Sequence, residues 1–132
     1  MKKSPKRNRP DVLQKQAIRY NKRKINIPAK SVSFFGKIFG LMFKSKNTEN
    51  LLFKFKKKTK MRIHSFFVFF PFLAVWTDKK NKVIKFKIVK PFSLNIGSEK
   101  PFNNLIEIPP NKKNKKIFNF FVDKKDLNRL YR

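Results

Sequence analysis

No cysteine occurs in the 132 residues, which excludes a disulfide framework and every thiolate site, nucleophilic, zinc-binding or iron–sulfur. The expected address is accordingly the cytoplasm. Glycine is nearly as scarce: three residues cannot build a glycine-rich phosphate loop. His64 is the single histidine, and a metal there would need two or three further ligands. The seven acidic residues, Asp11, Glu49, Asp78, Glu99, Glu107, Asp123 and Asp126, are dispersed and form no paired-carboxylate motif. Long apolar runs are also missing. The longest, Ile63 to Trp76, is interrupted by His64, Ser65 and Pro71 and is too short for a bilayer-spanning helix. The basic start lacks the apolar region of a signal peptide. Its composition also fits an organelle transit peptide, although it is poor in Ser and Ala.

What the chain has in excess is positive charge and phenylalanine. The formal net charge is +28, and 17 of the 20 aromatic residues are Phe, beside one Trp and two Tyr. Hydrophobic residues make up 40%, enough for a packed interior of one domain. So strong a field attracts polyanions, nucleic acid first and anionic membrane second. A second source of lysine is an AT-rich genome, which favours Lys, Asn, Ile and Phe codons without selection for binding. Distribution separates the two, because drift spreads charge and a binding site gathers it. Residues 1–30 hold 11 basic residues and one acidic, a net of +10. Residues 31–110 hold 16 against four, a net of +12 over a stretch more than twice as long. The last 22 residues hold eight against two, a net of +6.

Residues 1–10 contain two prolines and five basic residues and offer little that offsets the entropy of ordering. Asp11 reads as the N-cap of a short helix running to about Lys24, with Leu13, Ala17 and Tyr20 on one face. Residues 1–24 are thus expected to form a basic extension, followed by a single domain over 25–122 and a charged tail over 123–132. Ile25 and Ile27 suggest a short strand stopped at Pro28. Ser31 or Ser33 can cap a helical turn holding Phe34, Phe35, Ile38 and Phe39.

From Leu51 the period becomes two, with Phe53 and Phe55 opposite Lys54 and Lys56, the mark of a half-buried strand. The run Phe66 to Phe70 predicts a strand covered on both faces, with Pro71 at a bulge, bend or edge. Leu73–Thr77 and Val83–Val89 flank the polar loop Asp78 to Lys82 and read as a hairpin, with Ile84, Phe86 and Ile88 on one face. Leu105 to Ile108 is a last strand with Ile106 and Ile108 facing in, and Ile117, Phe118, Phe121 and Val122 make an amphipathic turn. The expected class is mainly β, a small antiparallel sandwich or barrel-like sheet with one or two short helices.

Six segments also carry a resemblance. They are Gly40-Leu41-Met42-Phe43-Lys44, Leu51 to Phe55, Ile63 to Pro71, Trp76-Thr77-Asp78 with Val83, Lys90 to Leu94, and Ile106-Glu107-Ile108-Pro109. In this order, over about half the chain, they resemble domain-of-unknown-function family 192 in its archaeal form. The resemblance implies a compact, mainly β domain and no assigned activity. This chain departs from the family at Leu73, where an acid is usual, at Phe92, where Trp is usual, and at Asn111, where Gly is usual. Asn also tolerates left-handed backbone.

Two sets of candidate residues follow. Lys2, Lys3, Lys6, Arg7 and Arg9, with Arg19, Lys22, Arg23 and Lys24, can neutralise phosphates, and RNA or another polyanion is the partner they suggest. Arg62, His64 and Glu107 are candidates for a pocket, and Glu107 falls in the last of the resembling segments. His64 on its own fits a hydrogen-bonded residue at a sheet edge, and Glu107 fits an ion pair with a lysine. The Phe residues sit at strand-interior spacing and are expected in the core rather than in base stacking. The function expected is a non-enzymatic binding module that needs no cofactor and contacts RNA through its basic arm. The alternative is a small-ligand or protein-binding β domain whose charge is compositional. A pocket uniting Arg62, His64 and Glu107 would revive an enzymatic reading.

Overall fold

The computed structural model describes residues 13–32, 40–42 and 44–131. Six strands form one sheet: β1 Leu13–Tyr20, β2 Arg23–Ser31, β3 Leu51–Thr59, β4 Phe72–Thr77, β5 Val83–Val89 and β6 Phe102–Ile108. Two short helices follow, α1 Lys115–Phe121 and α2 Lys124–Leu130, after a single 3-10 turn over Lys112–Asn114. The sheet order is β1-β2-β3-β6-β4-β5. The sheet curls until its edges approach, where the Arg19 amide donates to the Asn81 carbonyl at 3.0 Å. The fold is mainly β and barrel-like, as expected. It is not wholly antiparallel, because β2 meets β3 in parallel at Lys30 and Ser31.

Each face of the sheet carries its own core. Ile18, Ile27, Leu52, Leu73, Val75, Ile106 and Ile108 point into the curl, and α1 fills it with Ile117, Phe118 and Phe121. Leu51, Phe53, Phe72, Trp76, Phe102 and Leu105 point outward and are covered by Leu41, Val68, Phe70 and Ile96 from connecting segments. Strand β6 lies between β3 and β4, so all seven of its residues are buried, not only Ile106 and Ile108. Phe53, Phe70, Phe72, Phe102, Phe118 and Phe121 are buried in these cores, whereas Phe66, Phe67, Phe69 and Phe92 are exposed, contrary to the expectation that the phenylalanines lie in the core.

Several expectations give way to the structure. The helix over 11–24 is, in its described part, a β-hairpin with Tyr20 opposite Arg23. Its two-residue turn places Asn21 and Lys22 in the left-handed region, φ 51° and 62°, as the right-handed twist of a tight hairpin demands. The inward residues of β1 are Gln14, Gln16, Ile18 and Tyr20, at period two, but two of the four are polar. Strand β2 does not stop at Pro28. It continues to Ser31, and the imino residue is tolerated because β3 joins β2 only from Lys30 onward.

The run Phe66 to Phe70 is no strand. A turn closes through the Val68 amide on the Ser65 carbonyl, with Phe67 in the left-handed region at φ 59°. In β5 the expected alternation breaks at a bulge. Trp76 pairs with Lys85 and Thr77 with Val83, so Ile84 is the extra residue and packs on the outer core, away from Phe86 and Ile88. Asn111 is extended, with φ −116°, and acts as a cap. The tail over 123–132 contains α2, capped by Asp123, and Leu127, Leu130 and Tyr131 pack on the inner core. Asp11, Ser33, Phe34, Phe35, Ile38 and Phe39 lie outside the described residues.

A buried amide cluster locks the sheet to the C-terminal helices. Asn50 and Asn114 exchange side-chain hydrogen bonds at 3.0 and 2.8 Å, and donate to the carbonyls of Pro28 and Pro109. Asn111 donates to the Lys46 carbonyl and caps Asn114, while the Tyr131 hydroxyl donates to the Asn111 carbonyl at 2.7 Å. Burial pushes the Tyr131 phenol up to about 12.

Candidate functional site

Glu107 sits next to the end of the central strand, between Leu51 of β3 and Ala74 of β4, on the outer face. A carboxyl group in that position is surrounded by apolar side chains and is only 4% exposed. The Leu41 amide donates to it. Among the described residues no cation pairs with it: the ion pairs are Lys113–Glu49 and Arg129–Asp126, both at the surface. Desolvation outweighs the single amide and pushes the carboxyl up from 4.5 to about 8. At neutral pH Glu107 is therefore an uncharged acid, able to donate a hydrogen bond as well as accept one. The ion pair with a lysine expected for it does not form among the described residues.

Gly40 lies against this carboxyl. Its φ of +52° suits glycine, and a Cβ there would meet Glu107 Oε1 at 2.9 Å. Glycine is required on both counts. Gly40, Leu41, Phe53, Met61, Ile63, Val68 and Phe72 join Arg62, His64 and Glu107 around one cavity of about 250 Å³. The structure thus brings together Arg62, His64 and Glu107. The floor is the carboxyl, the walls are apolar, and the two basic side chains are exposed at the mouth.

The mouth is braced. Arg62 lies across Gly97 and donates to the Asn95 carbonyl at 2.6 Å. His64 Nδ1 accepts the Phe66 amide at 3.2 Å, which leaves the proton of the neutral ring on Nε2. Ile63 bridges to Ile96 through both backbone groups. Ser65, fully buried, ties the segment to the loop after β5: its amide donates to the Ser93 carbonyl, its hydroxyl to the Lys90 carbonyl, and it accepts the Ser93 amide. Among the described residues, no serine, threonine or cysteine lines the cavity.

The phosphate-binding candidates are divided. Lys2, Lys3, Lys6, Arg7 and Arg9 lie outside the described residues. Arg19, Lys22, Arg23 and Lys24 belong to the β1–β2 hairpin rather than to a helix. Arg19 and Lys22 line a groove of about 450 Å³ with Lys82 and Tyr20. Arg19 also donates to the Lys80 carbonyl at 3.3 Å, and Arg23 lies 4.3 Å from the Phe120 ring centre. Gly40, Leu41 and Met61 were missed as pocket residues. For Gly40 the scarcity of glycine in the chain was the available signal.

No protein-family model and no curated protein matches the chain. Two solved structures share its fold. One is a protein of unknown function from Novosphingobium aromaticivorans DSM 12444, with TM-score 0.65, 11% identity and coverage of 80% of this chain and 78% of that one. The other is a "putative transcription regulator" from Sinorhizobium meliloti 1021, with TM-score 0.64, 16% identity and coverage of 80% and 88%. At these identities the likeness concerns the fold alone. No helix among the described residues is long and apolar enough to cross a membrane.

Proposed function

We propose that this chain is a small-ligand-binding β domain, and that its ligand has an apolar body and an acceptor-rich, anionic head. The observation that carries the reading is Glu107, a buried carboxyl with no cation partner among the described residues, at the floor of a cavity. A stable sheet has no need of it, since an apolar residue at the same position would avoid the desolvation penalty. A neutral acid can donate to a ligand carboxylate, Arg62 supplies positive charge at the mouth, and the His64 ring can donate from Nε2. The volume of 250 Å³ equals that of roughly eight waters, room for a molecule the size of benzoate. In this reading the domain binds its ligand without transforming it. Membership of domain-of-unknown-function family 192 belongs to the same proposal. Its support is that Gly40, Leu41 and Glu107, which come from the first and last resembling segments, meet at the cavity.

The experiment is an amide NMR titration with benzoate and, separately, benzylammonium. Benzoate should shift the resonances of Leu41, Arg62 and Glu107, and the shifts should weaken as pH rises through about 8. Preference for benzylammonium, or no response to either at millimolar concentration, contradicts the reading.

A second reading is favoured by the groove where Arg19, Lys22 and Lys82 converge. There the domain would contact RNA non-specifically, together with the basic residues that precede β1. Deleting residues 1–24 would remove β1 from the sheet, so substitutions are the better test. In Lys22→Glu/Lys24→Glu/Lys82→Glu, the slope of log affinity for duplex RNA against log salt should flatten by about 2 to 3. An unchanged slope removes this reading.

A further inference from the structure

The loops beside the cavity mouth expose Phe66, Phe67, Phe69, Phe92 and Leu94 on one side of the domain. Leu94 and Phe69 are the most open, at 63% and 62%. Ser65 stitches the two loops together, Phe69 packs edge-to-face on Phe92 with ring centres 5.5 Å apart, and Phe66 and Phe67 lie 6.4 Å apart on the same stitched segment. Two of them are held outward by unusual backbone: Phe67 and Phe92 have φ of 59° and 58°, a region where Gly or Asn is expected. A chain selected for stability alone would place those residue types there and bury the rings.

The surroundings carry one sign of charge. Lys60 and Arg62 flank Met61 at the start of the first loop, and Lys90 begins the second; all three are exposed. Six of the nine residues from Lys54 to Arg62 are basic, and no acid occurs from Asn50 to Thr77 or from Lys79 to Ser98. A second copy of a chain with net charge +28 would be repelled from this face. Stacking of nucleic-acid bases needs open ring faces. Phe69 and Phe92 instead cross at 73°, and the most exposed side chain of the patch is Leu94, which has no ring.

We propose that this patch docks the domain onto an anionic lipid bilayer. The phenylalanine rings and Leu94 enter the interfacial layer while Lys60, Arg62 and Lys90 reach the headgroups. Apolar insertion and electrostatic attraction act together, the first supplying the part of the binding that salt does not screen. Arg62 is shared with the cavity mouth, whereas Phe69 and Leu94 are not among the residues that line the cavity.

The test uses the full chain and vesicles of phosphatidylcholine, with or without about one-third phosphatidylglycerol. Wild-type protein should sediment with the anionic vesicles and should keep part of that binding at about 0.5 M salt, where charge attraction is screened. Phe69→Ser/Leu94→Ser alters two exposed positions of ordinary backbone. It should weaken binding about tenfold or more and abolish the salt-resistant part. Equal partitioning of the two proteins at both salt concentrations overturns the proposal. So does a single-stranded RNA that loses as much affinity from the substitutions as the vesicles do. Leu94→Trp gives an independent readout: its emission should move to the blue on anionic vesicles, and an unmoved spectrum also overturns the proposal.

Discussion

Replacing Glu107 by Gln keeps the shape of the side chain and removes its titration. In the wild type the sign follows from where the proton resides. The folded state holds it up to about pH 8, whereas the unfolded chain releases it near 4.5. Between those values the folded state binds more protons, so stability falls by about 1.4 kcal/mol for each pH unit and levels off above 8. The full gap corresponds to roughly 5 kcal/mol, an upper figure for a group that can relax toward solvent once charged. Gln mimics the protonated acid, so the two proteins should agree within about 1 kcal/mol near pH 4 to 5. Near pH 9 the variant should be the more stable, by up to about 5 kcal/mol or about 15 °C in Tm for a domain of this size. The assay is urea unfolding of both proteins across that range. The difference between the two curves cancels the titration of the lysines they share. A difference that stays constant with pH would refute the buried, unpaired acid on which the site rests.

The buried amide cluster makes a separate prediction. Asn114→Ala strands the Asn50 amide and the Pro109 carbonyl and should cost about 2 to 3 kcal/mol in denaturant unfolding, whereas loss below about 0.5 kcal/mol would mean the cluster locks nothing. Gly40→Ala forces a Cβ to 2.9 Å from Glu107 Oε1 at a φ of +52°, so it should destabilise by about 2 kcal/mol. In a Glu107→Ala background the clash is gone and about 1 kcal/mol of backbone cost should remain; equal losses in both backgrounds would exclude the close approach. Phe92→Asn relieves a left-handed phenylalanine and should raise stability by about 1 kcal/mol while lowering vesicle binding. Loss of stability there would show that the ring serves packing instead.

The parts of the fold that could be read in advance are those where side-chain period and turn chemistry agree. Strand β5 begins and ends at Val83 and Val89 as its pattern dictates, and Leu73 to Thr77 falls within β4. The apolar spacing of Ile117, Phe118 and Phe121 marks α1. Misreadings cluster where one residue type plays two parts. Ala17 and Tyr20 fall at helical spacing from Leu13, but the inward face of β1 begins with Gln14 and Gln16, whose polarity conceals the period of two. Phe66 to Phe70 has the composition of a central strand, yet the Ser65 clamp bends it and leaves Phe67 in a conformation that composition does not encode. At the candidate site, the grouping of Arg62, His64 and Glu107 was readable as a possibility, and the resembling segment singled out Glu107. That no described lysine pairs with it was not readable, because it depends on which residues the register sets beside Glu107. Leu51 and Ala74, the direct neighbours of Glu107, bring only apolar groups.

The ionisation of Glu107 itself tests the central claim most directly. Its side-chain carboxyl carbon can be followed by NMR as pH is raised, with and without benzoate. The account predicts a midpoint near 8 for the free protein. With benzoate bound, the midpoint should move higher still, because an anion at the floor of the cavity disfavours a second negative charge. A midpoint near 4.5 that benzoate leaves in place would contradict both the buried acid and the ligand proposed for it.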